Sequence, residues 1–141
     1  MKNSVRLVNN LSAGFIIISV MSLMYVALMA MADPQKVMEL VQVQIPNNDA
    51  YSSLRGVYGG VGLAISLFLL YLIKRYKDLA LAFLSLLWGF YAISRLITIF
   101  IEGPLGDFGR QWIVIETLFF MIACVLFYLQ FKQKSTGRFY S

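Results

Sequence analysis

Arginine and glutamate set inside apolar stretches are the residues of this chain with chemistry to offer. Arg55, Arg95 and Glu116 each interrupt a run of hydrophobic residues. A charge in hydrocarbon is costly, so each needs a partner or a purpose, and such residues commonly mark ligand or ion pathways. Arg95, Thr98 and Glu102 stand at i, i+3 and i+7, which places them on one face of a helix. Glu116 is the acid nearest Arg95 in depth, so a bidentate Arg95–Glu116 pair is expected, with Glu102 or Arg55 completing the network. Two arginines with compensating acids suit an anionic or amphipathic, lipid-like ligand through charge-assisted hydrogen bonds. The same charges also serve as glue that ties membrane helices together.

Other chemistry is ruled out by residue type. The chain has no histidine and one cysteine, Cys124, inside an apolar run. Histidine is the commonest metal ligand and the usual base at neutral pH, so His-ligated haem, zinc hydrolysis and Ser–His–Asp catalysis are excluded. Disulfide exchange needs a second thiol, and a lone buried cysteine behaves as a small hydrophobe. Only Glu102, Glu116 and tyrosines remain as acid or base, with no evident nucleophile. We therefore expect no enzyme, no metal site and no cofactor.

The elements that position these charges are membrane helices. Of the 141 residues, 60% are hydrophobic and 13% charged, and the mean hydropathy is +0.74. A water-soluble domain this small cannot bury so much apolar surface. Four stretches reach the length needed to cross roughly 30 Å of hydrocarbon: about 11–32, 53–73, 79–101 and 112–131. The expected architecture is all-α, one membrane domain over 1–141, an antiparallel four-helix bundle in the lipid bilayer. The net charge of +5 forms no basic stripe and comes with no recognition motif, so a nucleic-acid partner is not expected.

Charge in the connections sets the orientation. Lys2, Arg6, Lys74, Arg75, Lys77, Lys132, Lys134 and Arg138 fall on one side; Lys36 and Arg110 share the other with Asp33, Glu39, Asp49, Glu102 and Asp107. The basic side should be cytoplasmic, placing both termini in the cytoplasm of a multi-pass protein of a bacterial inner membrane. Ala30-Met31-Ala32 before Asp33-Pro34 has the form of a signal-peptide cleavage site. The apolar run before it is longer than the roughly 7–15 residues of a signal peptide, which favours a retained span.

Between the first two spans, Val37-Met38, Leu40-Val41 and Ile45 suit a short amphipathic helix. Pro46-Asn47-Asn48-Asp49 should break it and turn the chain back. Glu102 to Asp107 has the composition of a tight turn. In the second span Gly56, Gly60 and Ala64 repeat every four residues, a stripe that lets another helix approach closely. Gly59 and Gly62 loosen the segment further. Trp88, Tyr91, Trp112, Phe119 and Phe120 are candidates for a pocket lining or, more commonly, for lipid-facing and interfacial positions.

Taken together, Asn47/Asn48, Arg55-Gly56-Val57-Tyr58-Gly59-Gly60, Ser94-Arg95-Leu96, Glu102-Gly103-Pro104 and Glu116 resemble a family of small bacterial four-span membrane proteins known only as a domain of unknown function. The family more often has Gly-Arg where this chain has Ser94-Arg95. The resemblance implies architecture and brings no activity. The leading expectation is a non-enzymatic membrane protein with an Arg/Glu polar site near its outer face for an anionic or lipid-like ligand. The alternative is a structural or accessory subunit, homo- or hetero-oligomeric, whose buried charges serve only packing. A small multidrug transporter fits poorly, because residues 11–32 hold no acid.

Overall fold

The computed structural model describes residues 2–138, with side chains described from residue 3 to residue 135. The side chains of Lys2 and Arg138, counted above among the basic residues, lie outside that set. All regular structure among the described residues is helical. The elements are α1 (Lys2–Ala32), α2 (Pro34–Glu39), α3 (Asn48–Leu54), a π-helical turn (Arg55–Gly60), α4 (Val61–Leu72), α5 (Lys77–Ile101) and α6 (Asp107–Arg138). Four helical stretches are long and apolar enough to cross a membrane: Asn3–Ala32, Asn48–Leu72, Lys77–Ile101 and Asp107–Ser135. No more than 33% of the most apolar window of any of them is buried, and side chains such as Phe100 (84% exposed) and Tyr71 (70%) point outward. Such surfaces are at home in hydrocarbon, where helices satisfy every backbone group internally.

The chain divides into two compact units, residues 17–71 and residues 1–16 with 72–141. In the 17–71 unit, Asp33 ends α1 and caps α2, its side chain accepting from the Gln35 N–H at 3.1 Å, with Pro34 in the first turn. Proline there forfeits an N–H that has no helical partner anyway. Ala30, Val37 and Met38 form a small core with Val26, Met29, Ile45 and Leu54. Gln35 holds the loop that follows: its Nε2 donates to the Val43 carbonyl and its Oε1 accepts from the Ile45 N–H, both at 3.0 Å.

The expected helix over 37–45 is thus shorter and earlier, over 34–39, and it ends in a turn where Gln42 takes φ +59°. The turn expected at 46–49 is in part a helix start. Asn47 accepts from the Ala50 N–H at 2.9 Å, the usual asparagine N-cap, and the second span begins at Asn48 instead of 53.

In the other unit, α5 and α6 pack against each other and against the first part of α1. Contacts run in opposite directions along α5 and α6: Asp78 meets Lys134 at 2.6 Å, Trp88 meets Phe119, and Arg95 meets Glu116. Ala80, Leu81, Leu84, Trp88, Gly89 and Ala92 are the buried face of α5, at helical spacing. Two bonds anchor α1: Lys77 Nζ donates to Asn9 Oδ1 at 2.8 Å and Gln130 Nε2 to Ser12 Oγ at 3.0 Å. Gly103, at φ +106°, terminates α5 in a backbone conformation that glycine adopts without strain. α6 then starts at Asp107, not 112, because Asp107 to Arg110 forms its first turn.

Candidate functional site

Arg95 and Glu116 close on each other. Arg95 Nε donates to Glu116 Oε2 at 2.6 Å and Nη2 to Oε1 at 2.8 Å, so the planar guanidinium meets both carboxylate oxygens, a fork that lysine cannot supply. The Glu116 side chain is only 4% exposed and that of Arg95 22%. Arg95 is six residues from the end of α5 at Ile101, while the early start of α6 puts Glu116 nine residues from Asp107. At 1.5 Å per residue those depths differ by about 4.5 Å, a gap the long arginine side chain spans. The guanidinium also lies 5.8 Å from the centroid of the Phe108 ring, within cation–π range.

The layer beneath the pair explains its closeness. Gly89 sits under Phe120: a Cβ there would meet the ring at 3.0 Å, so this position brings α6 close to α5. Trp88 stacks edge-on to Phe119 at 4.9 Å, and Phe15 of α1 meets Phe119 at 5.5 Å. Trp88, one of the aromatics considered for a pocket or an interfacial belt, is instead core, 3% exposed.

The two residues expected on the Arg95 face do not join the pair. Thr98 Oγ1 donates back to the Ser94 carbonyl at 3.0 Å, the local bond threonine favours in helices. Glu102 is exposed at the C-cap of α5 and has no ion pair among the described residues.

Arg55, in the 17–71 unit, has its own partners. Its Nε donates to the Met31 carbonyl at 3.2 Å, one of the last carbonyls of α1, where a cation is favoured by the helix dipole. Its guanidinium carbon lies 5.9 Å from the centroid of the Tyr51 ring. Asn48, Tyr51, Ser52 and Arg55 line an open recess of about 370 Å³. No carboxylate among the described residues pairs with Arg55.

Arg55 opens the π turn. π-helical insertions widen a helix by one residue and are frequent at functional positions. The glycines that pack are not those of the four-residue repeat. Gly56 and Ala64 face outward, Gly56 with nothing within 4 Å, and Gly60 meets only the Arg55 carbonyl of its own helix, at 3.9 Å. Gly59 and Gly62 make the approach to α1: a Cβ would fall 2.5 Å from Met31 Sδ at Gly59 and 2.8 Å from Ala27 Cβ at Gly62. Of the expected packing set Gly56, Gly59, Gly60 and Ala64, only Gly59 is in contact, and Gly62 joins it.

Four helices of membrane length with outward apolar faces and an ion pair buried between two of them are the marks of a multi-pass helical membrane protein. The family model for Domain of unknown function (DUF4345) matches residues 11–128, and the chain belongs to that family. The match takes in Asn47, Arg55, Arg95, Glu102 and Glu116, positions on which the resemblance rests, and agrees with it. No curated protein and no solved structure matches the chain.

Proposed function

We propose that this chain is a non-enzymatic membrane protein of structural or accessory role, with the Arg95–Glu116 pair acting as the clamp that holds α5 to α6. The observation that carries this reading is the closed geometry of the pair. Both carboxylate oxygens and two guanidinium nitrogens are used on each other, and no buried side-chain polar atom among the described residues lacks a partner. A ligand seeking Arg95 would have to displace an almost fully buried carboxylate. The anionic-ligand role expected of the whole charge set therefore falls to Arg55 alone.

In this reading the four spans form an antiparallel bundle in a bacterial inner membrane, with both termini in the cytoplasm, supported by the basic residues at 74–77 and 132–134. The outward apolar faces of α4, α5 and α6 meet lipid or the helices of a partner. Native mass spectrometry of the protein extracted in mild detergent tests the accessory role. A stable homo- or hetero-oligomer is the expected result, and a lone monomer in every mild detergent would sink it.

A further inference from the structure

Of the three charges set within apolar stretches, Arg55 is the one with no carboxylate partner among the described residues, and its surroundings have the character of an anion site. Asn48, Tyr51, Ser52 and Arg55 follow one another at helical spacing along one face and together line the recess. The Nε–Met31 bond and the Tyr51 ring hold the guanidinium in place, which leaves its η nitrogens as donors. A hydroxyl from Tyr51, a hydroxyl from Ser52 and the amide of Asn48 add neutral donors. No acid lines the recess, although Asp49 is adjacent in sequence, so the lining favours an anion over a cation. The following turn exposes Tyr58 (43%), three residues on from Arg55 and so on its side of the helix. The stretch Asn48–Leu72 is apolar enough to cross a membrane, so an acyl chain leaving the recess enters hydrocarbon.

We propose that this recess binds a phosphate group, bidentately held by the Arg55 guanidinium, and that its resident ligand is an anionic phospholipid whose chains leave the recess past Tyr58 into the hydrocarbon around the span. Arginine is the residue suited to such recognition, because its fork matches two phosphate oxygens at once. Its residues all belong to the 17–71 unit and Arg95 and Glu116 to the other, and the two sites share no residue, so each is tested on its own.

The test uses the purified full chain in mild detergent, with adducts counted by native mass spectrometry. The probes are dioleoylphosphatidylglycerol, dioleoylglycerol (the same chains without phosphate) and inorganic phosphate. Phosphatidylglycerol should bind and dioleoylglycerol should not. Arg55→Gln should weaken the phosphatidylglycerol adduct about tenfold or more, the worth of one charge-assisted hydrogen bond, and Arg55→Lys by less. Ser52→Asp, at an exposed position away from the Met31 bond, should abolish it, which keeps the idea testable if Arg55→Gln fails to accumulate. Displacement of the lipid by millimolar phosphate would support the shared chemistry. Arg55-dependent binding of phosphate without any lipid adduct would keep the anion site and overturn the phospholipid. Adducts unchanged in Arg55→Gln or Ser52→Asp, or equal adducts with dioleoylglycerol, would overturn the proposal altogether.

Discussion

At the scale of single residues, burial decides which charges matter. Glu116 is nearly enclosed, so removing Arg95 leaves a carboxylate without its partner in a site that water reaches poorly. Breaking a buried pair typically costs about 3–5 kcal/mol, while replacing both members with apolar residues is often neutral. Arg95→Leu should therefore destabilise strongly, and Arg95→Leu combined with Glu116→Leu should recover most of the loss in detergent unfolding curves. A double variant as unstable as the single one would show that the pair does more than clamp. The Lys134–Asp78 pair makes a contrast: its lysine side chain is 59% exposed, and exposed pairs contribute about 0–1 kcal/mol. Lys134→Ala should barely move the same curve. Arg95 with Glu116 was legible in the sequence because few acids stand at a comparable depth. The cation–π contact with Phe108 was not, because Asp107-Phe108-Gly109-Arg110 has the composition of a loop.

At the scale of elements, helix approach is set by which glycines face a neighbour. Gly62→Ala places a methyl 2.8 Å from Ala27 Cβ, an atom fixed to the α1 backbone, so the two helices must separate; overpacking of this kind costs about 1–3 kcal/mol. Gly59→Ala meets mainly the Met31 side chain, which can swing aside, with the Met31 backbone N farther off at 3.3 Å, and should cost less. Gly56→Ala points into open space and gains helix propensity, so its melting temperature should hold or rise. If Gly56→Ala and Gly62→Ala shift stability alike, the assignment of the close approach to Gly62 fails. The four-residue repeat Gly56, Gly60, Ala64 picks out one face by spacing alone, and spacing does not say whether that face meets a neighbour. The structure turns Gly59 and Gly62 toward α1 instead, within and just after a π turn at Arg55–Gly60, and nothing in side-chain type announces such an insertion. Likewise, Pro46-Asn47-Asn48-Asp49 is written in the same residues whether it closes a turn or caps a helix; the bond from the Ala50 N–H to Asn47 makes it both.

At the scale of the whole molecule, the topology proposed from charge is open to a direct check. With Cys124 replaced by serine, single cysteines introduced by Asp49→Cys and Gly106→Cys should react with a membrane-impermeant maleimide on intact cells. Lys74→Cys and Ser135→Cys should react only after permeabilisation. Labelling of all four from outside, or the reverse pattern, would refute the orientation. The sequence by itself determined that the chain is helical and suited to a membrane, since four apolar runs of sufficient length admit few other outcomes. It also pointed to Arg95 and Glu116 as partners, because a buried charge in lipid has few ways to be satisfied. Only the tertiary structure decided that this pair is closed, that Thr98 and Glu102 stand apart from it, and that Arg55 faces an open recess with no acid in its lining. Those outcomes depend on helix phase and on where each helix begins. Small backbone events set both: a π turn, an asparagine cap, and a helix that starts at Asp107.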